Sequence, residues 1–386
     1  MHTKNNEEDN PSRSVSAPGM PDFRRRAACT VRTTEADRTI LAFLSLRFPY
    51  RTSFEWQQLL AEERLILNHR TATEDMVVAA KDRVEFKVPE KDEPPVNSVY
   101  SVLFEDDCLL VVNKSGNLPI HPAGRFFNHT LWALLKRDRP EMPVHFVNRL
   151  DRETSGIVVV AKGPEIAGRC AAALAHPDAA KIYTAIVEGE FPYTLQAEGV
   201  LTPHPRSRVR KKLAFVPTPG SSCAEQISRL PDRIISARDY EPGDDRKGGA
   251  KRIATSFKKI GGDNQLSILA ARLRSGQTHQ IRATLESLGF PLVGDKLYGV
   301  DEAIFLRFIN DSLTDADRRR LRLDRQALHA ARLTFTHPDT LKPIDITAPI
   351  PEDMATCLDQ KFTLAGPIYD ALLEFELGFQ SRIAHD

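Results

Sequence analysis

The stretch Val147-Asn148-Arg149-Leu150-Asp151-Arg152-Glu153-Thr154-Ser155-Gly156 is polar, ends on a glycine and runs straight into the apolar segment Ile157 to Ala161. A loop at the edge of a strand is where a rigid scaffold presents reactive groups. Asp151 stands between Arg149 and Arg152. Positive charge on both sides would keep its carboxylate ionised, fit to act as a nucleophile or base near neutral pH. On position alone, a turn or cap aspartate in a surface ion pair is the commoner use of such a residue.

A second stretch, Arg272-Leu273-Arg274-Ser275-Gly276-Gln277-Thr278-His279-Gln280-Ile281-Arg282, reads as a strand end, a Ser-Gly turn and a helix opening at Thr278, a natural N-cap. Arg282 follows His279 by three residues, so the two share a helix face, while Ile281, Leu285 and Leu288 supply the apolar one. A guanidinium could thus face a cleft. His279 has no second histidine at a metal-ligand spacing and reads as a hydrogen-bonded residue at a helix start, without a chemical role. In the strand-like run Lys181 to Val187, alternation puts Lys181, Tyr183, Ala185 and Val187 on one face, where a tyrosine usually serves the core. Between His204 and Lys212, Arg206, Arg208, Arg210, Lys211 and Lys212 form a basic cluster that suits either phosphates or a solvated loop.

These groups must be positioned by a chain of 386 residues, 41% hydrophobic and 27% charged, which is enough for two domains. Lys and Arg total 53 against 52 Asp and Glu, so a polyanionic partner is neither advertised nor excluded by the net charge of +1. The 5 cysteines are scattered without a C-x-x-C pair, which argues against a disulfide framework or a zinc site. Together with a polar N-terminus and the absence of a long apolar run, they predict a cytoplasmic protein without membrane contact.

Residues 1–34 read as a disordered tail. Helical spacing from Arg38 to Leu60, then short strand-like runs to Val88, make a compact module over 35–88, followed by a Pro-rich charged linker over 89–98. The strand-like runs Leu109 to Val112, Gly156 to Ala161 and Lys181 to Val187 are interleaved irregularly with helical ones such as Glu165 to Leu174, which predicts an α+β domain over 99–350. A Gly-rich charged stretch, 237–252, reads as an exposed, poorly ordered loop, and 351–386 as a C-terminal helical extension.

Taken together, the three stretches resemble the signature blocks of the RluA/RluD family of pseudouridine synthases. Asn148 to Gly156 matches H-R-L-D-x-x-T-S-G at all but its first position, Lys181-Ile182-Tyr183 matches K-x-Y, Gly276 to Arg282 matches G-R-T-H-Q-I-R with Gln277 for arginine, and Gly294 to Gly299 matches G-D-x-x-Y-G. Glu105 to Gly116 resembles the family's opening block, with Ser115 where proline is usual. The module over 35–88 resembles an α-L RNA-binding module lacking its turn glycine near Glu63.

The resemblance implies a mixed, largely antiparallel sheet with a central catalytic cleft. It implies isomerisation of uridine in structured rRNA or tRNA, needing no cofactor or metal. Asp151 would be the catalytic carboxylate, Tyr183 the general base for the carbon-5 proton, and Arg282 the partner of Asp151, so that Arg282→Ala would lose activity without unfolding. Arg149 would fill the vacated base stack, and Arg206, Arg208, Arg210, Lys211 and Lys212 would contact RNA. No obligate protein partner is expected, and the protein is expected to be a monomer.

Overall fold

The computed structural model describes residues 14–15, 23, 26–88, 93–221, 223–225 and 250–359. Contacts divide the chain into two units, one of Met20–Pro95 with Pro122–His129, the other of Met1–Gly19, Val96–His121 and Thr130–Asp386. A two-residue strand, β1 (Ser14–Val15), belongs to the larger unit. The smaller contains β2 (Arg26–Thr30), β3 (Arg38–Thr39), α1 (Ile40–Arg47), α2 (Ser53–Ala61), β4 (Leu65–Leu67), β5 (Arg70–Thr71), β6 (Val77–Val78) and β7 (Arg83–Lys87).

In the smaller unit both helices begin where a threonine can satisfy free amides. Thr39 Oγ1 accepts from Ala42 N, and Thr52 and Glu55 make a reciprocal capping box. Their apolar faces, Ile40, Phe43, Leu44, Trp56, Leu59 and Leu60, are buried together with Leu65 from β4. The turn after α2 places Glu63 at φ 53°, a left-handed conformation that glycine would adopt without strain. Two sequence expectations change here. The tail cannot extend to residue 34, because Arg26–Thr30 pairs with β7. The stretch 89–98 is no free linker, because Glu93 accepts from the backbone amides of Phe127, Asn128 and His129 at 2.7, 2.8 and 2.9 Å. Those contacts draw 122–129 out of the domain expected over 99–350; residues 89–92 lie outside the described ones.

The larger unit continues with β8 (Tyr100–Glu105), β9 (Leu109–Lys114), α3 (Leu131–Asp138), β10 (His145–Phe146), β11 (Ser155–Ala161), α4 (Pro164–Ala175), β12 (Ala180–Glu188), β13 (Thr194–Pro203) and β14 (Leu213–Pro217). It is completed by β15 (Lys251–Gly262), β16 (Leu266–Leu273), α5 (Gln280–Ser287), α6 (Ala303–Ile309), α7 (Asp315–Leu321), β17 (Leu328–Thr336), β18 (Pro343–Thr347) and α8 (Glu352–Asp359). The exposed loop expected over 237–252 lies outside the described residues up to 249, and its end is already strand. Of the C-terminal extension only α8 and the residues before it are described.

One 12-stranded sheet runs in the order β1-β8-β9-β11-β17-β12-β16-β15-β13-β14, with β10 beside β11 and β18 beside β17. Every pairing is antiparallel except β11 with β17, which lie parallel over Ser155↔His329 and Gly156↔Ala330. This two-residue seam joins two antiparallel halves. All of β11 is buried, and it reads apolar from Ile157 to Ala161; each fully buried valine or isoleucine there stabilises the fold by about 1.5–3 kcal/mol relative to exposure. Gly156 is required at the seam: its φ is +112°, and a Cβ would lie 2.3 Å from the Ala330 carbonyl oxygen.

Candidate active site

The loop leading into β11 crosses the seam, and its backbone is anchored residue by residue. The Asp151 carbonyl accepts from Thr154 N at 3.1 Å and that of Arg152 from Leu118 N at 3.0 Å. Lys114 Nζ, fully buried, donates to the Arg152 and Ser115 carbonyls. Arg325 donates to the Glu153 carbonyl at 3.2 Å, and Lys296 Nζ lies 3.0 Å from the Glu153 carboxylate. Asn148 ties the loop's other end to β11, donating to Ile157 O and accepting from Val159 N. A carboxylate on such a loop is held in place before any ligand arrives.

Asp151 Oδ2 accepts from Arg282 Nη1 at 2.7 Å, so the structure brings together the two residues that the sequence placed 131 positions apart. Arg282 also forks onto Asp295, Nε to Oδ2 at 2.7 Å and Nη2 to Oδ1 at 2.9 Å. The Asp295 side chain is 0% exposed and accepts from Leu297 N and Tyr298 N as well. Burial opposes the charge on Asp151, but the Arg282 guanidinium, with a smaller contribution from His279, holds the carboxyl below the ordinary range. Burial also opposes the charge on Arg282, and Asp295 and Asp151 overcome it and hold the guanidinium above its ordinary value.

Arg149 and Arg152 do not perform the task expected of them. Arg149 is exposed at the pocket rim, and Arg152 pairs with Glu153 at 3.0 Å and lies over the Phe308 ring. The cation that serves Asp151 comes from α5 instead. That helix starts at Gln280, not Thr278. Its N-cap is His279 at φ 57°, and Gln280 reaches back to accept from Gln277 N at 3.0 Å. His279 Nδ1 lies 3.0 Å from the Tyr298 hydroxyl, which also accepts from Leu213 N, and its Nε2 is 3.9 Å from Asp151 Oδ1. Burial and the Arg282 charge lower the imidazole to about 4, leaving it neutral.

Asp151, Arg149, Tyr183, Gln277, His279 and Arg282 are among the residues lining a pocket of about 80 Å³. Tyr183 projects from β12 and is half-buried; burial, and then the Asp151 charge, push its phenol up to about 12. Of the basic cluster, Arg206, Arg208, Arg210 and Lys211 are exposed. Lys212 is not available to phosphate. It is 5% exposed, with Nζ 3.0 Å from Glu286 and 3.2 Å from Glu302.

Sequence reasoning named no role for Asp295 or Tyr298, although both lie in the quoted G-D-x-x-Y-G turn. The signal was a carboxylate set among Phe290, Pro291, Leu292, Val293 and Leu297, a setting too apolar for a solvated side chain. Gly294 before it has φ +75° and no room for a Cβ, which would meet the Arg325 carbonyl at 1.9 Å. No group of three or more His, Cys, Asp or Glu among the described residues is arranged to hold a metal ion, and no helix there is long and apolar enough to cross a membrane.

Fold and pocket together describe an α+β protein with one ionised carboxylate at the split of a mixed sheet. The family model for RNA pseudouridylate synthase matches residues 108–287. Ribosomal large subunit pseudouridine synthase D of Zymomonas mobilis is 32% identical over 67% of this chain and 72% of its own length. The enzyme of the same name from Xanthomonas campestris is 30% identical over 83% and 87%, respectively. The mitochondrial tRNA pseudouridine(32) synthase of Saccharomyces cerevisiae is 29% identical over 69% of this chain, which spans about half (51%) of that protein. The chain belongs to the RluA/RluD family of RNA pseudouridine synthases, which are isomerases.

Proposed function

We propose that this enzyme converts particular uridines of structured ribosomal or transfer RNA to pseudouridine, with Asp151 as the catalytic carboxylate. The observation that carries the reading is the 2.7 Å bond from Arg282 to an Asp151 carboxylate facing a pocket that Tyr183 also lines. Both RNA classes come from the names of the relatives.

The isomerisation breaks the bond between N1 of uracil and the ribose anomeric carbon, turns the base, and forms a bond from C5 to that carbon. The proton lost from C5 is balanced by the one that N1 gains, so no electron donor or energy source is consumed. Asp151 either attacks the anomeric carbon or takes the proton on the neighbouring ribose carbon; each route needs an ionised carboxylate. Arg282 keeps it ionised and oriented. Tyr183 receives the C5 proton as general base. With its phenol at about 12, the hydroxyl enters the step un-ionised, so it acts as a relay: as the C5 proton arrives, the phenol's own proton passes on towards N1 of the uracil, which ends the reaction protonated.

The target base must leave its stack, at a cost of roughly a few kcal/mol, and exposed Arg149 at the pocket rim would occupy the space it vacates. The exposed Arg206, Arg208, Arg210 and Lys211 would contact phosphates. Burial, and then the charges of Arg282 and Arg152, lower the Lys211 ammonium, while Asp151 and Glu153 oppose that shift. The free cysteines fit a cytoplasmic setting, and a monomer without an obligate protein partner remains the expected state.

Mapping pseudouridines in total RNA from cells lacking this gene, complemented with wild type or Asp151→Ala, tests the reading. A site restored by wild type alone supports it. A site restored equally by the variant, or no site missing, leaves an RNA-binding protein without this chemistry.

A further inference from the structure

The seam between β11 and β17 has a second consequence. After the pairs Ser155↔His329 and Gly156↔Ala330 the two strands have no further register pairs, and the C-terminal half of α4 walls the space between them. The result is a cavity of about 360 Å³, within the ~300–1,000 Å³ of pockets that hold small organic ligands. Arg149, Tyr183 and Gly276 line both this cavity and the catalytic pocket. The two spaces are therefore neighbours that share the exposed arginine of the catalytic loop.

The lining suits a nucleotide. His121 and Phe146 meet edge to face with ring centroids 4.7 Å apart, giving a base an aromatic surface. Burial and the nearby Arg149 hold the His121 imidazole below its ordinary value, so at neutral pH it is an uncharged ring. Lys181, on the same strand as Tyr183, is half-buried in the cavity wall, and among the described residues its ammonium has no hydrogen-bond or ion-pair partner. A half-buried ammonium left without an anion costs free energy that a phosphate would recover. Arg332 also lines the cavity but is already forked onto Asp345. The net positive groups are thus Arg149 and Lys181.

We propose that this cavity binds a nucleotide flanking the target uridine in the same RNA strand, its base against Phe146 and His121 and its phosphate at Lys181, with Arg149 between it and the target. The inference rests on the catalytic reading above and adds a determinant of which uridine is chosen. Recognition of the neighbour would occur in a pocket separate from the chemistry.

The test uses the full chain and an RNA fragment spanning a site that wild type restores in the pseudouridine map, plus copies carrying an abasic nucleotide at each flanking position in turn. At one position the abasic substitution should lower the single-turnover kcat/KM of wild type by roughly 10- to 100-fold, the scale of one base–aromatic stack. Phe146→Ala should lose a similar factor on the intact fragment and nothing further on that abasic copy. Losses that multiply independently at every position overturn the inference while leaving catalysis intact. Lys181→Met keeps the side chain's bulk and should reduce the salt dependence of binding by about one phosphate contact; an unchanged slope with normal folding also counts against it. A site restored equally by Asp151→Ala in that map overturns the catalytic reading and this inference together.

Discussion

Two buried cations in this enzyme each bridge two carboxylates, and they serve different ends. Arg282 joins Asp151 to Asp295, whereas Lys212 joins Glu286 to Glu302. In the first cluster the guanidinium forks onto fully buried Asp295 and spends its remaining nitrogen on Asp151, which faces a pocket. Its carboxyls fall below their ordinary values despite burial. In the second, a single ammonium serves both partners, and burial wins at Glu286, which is raised. Glu302 is lowered, because Ser207, Lys212 and the Arg208 amide outweigh burial there. A planar fork can ionise two carboxylates at once and leave one oriented for use; a point charge can tether a loop. Similar charge composition thus leaves an ionised carboxylate facing a pocket in one place and makes a fastening in the other.

The comparison is tested most strongly at Asp151. Asp151→Asn should reduce turnover by ~10⁴-fold or more, the scale at which catalytic groups act, while the melting transition moves little because Asp295 still pairs Arg282. For wild type, kcat/KM should hold from neutral pH down to the ordinary aspartate value of 3.8 and fall only below it. The sign follows from a depressed folded pKa: ionisation of Asp151 contributes stability above the unfolded value, and this is lost as pH falls through the folded one. An acid limb above that value would contradict the assigned electrostatics.

Tyr183→Phe should slow turnover by about 10²- to 10⁴-fold, the range of a positioned proton acceptor, with RNA affinity retained. Equal loss of affinity and rate would assign the tyrosine to binding alone.

Arg282→Met separates structure from chemistry. The expectation of lost activity without unfolding needs correction, because the substitution strands Asp295 in the interior, where breaking a buried pair costs about 3–5 kcal/mol. Chemical denaturation should show that loss, and adding Asp295→Asn should restore much of the stability but none of the activity. Recovery of activity in the double variant would remove Arg282 from the mechanism.

The smallest effects belong to the basic loop. Lys211→Ala should lower the salt slope of RNA binding by about one, whereas Lys212→Met should leave the slope unchanged and act on stability instead. A reduced slope in the Lys212 variant would mean that its tether to Glu286 and Glu302 opens in the complex.

Much of this protein was legible before folding. The apolar run of β11, the helical spacing of α1, α2 and α4, and the blocks around Asp151, Tyr183 and Arg282 pointed to an α+β enzyme with these candidate residues, because local periodicity and short motifs are properties of adjacent positions. The start of α5 was misplaced, since His279 in a left-handed conformation and Gln280 reaching backwards replace the ordinary threonine cap. The strand Arg26–Thr30 was missed because its ladder partner, β7, is distant in sequence.

What the sequence by itself determined was the family, through its short motifs, and which residues to propose for its chemistry. Local charge alone suggested Arg149 and Arg152 as the cations that ionise Asp151, whereas the family resemblance named Arg282; only the tertiary structure puts Arg282 at 2.7 Å and turns Arg152 to Glu153. Burial, likewise, separated Lys212 from the four exposed members of its cluster. Coulomb interactions and desolvation depend on distance and solvent in three dimensions, and a linear chain specifies neither until the sheet has closed around its seam.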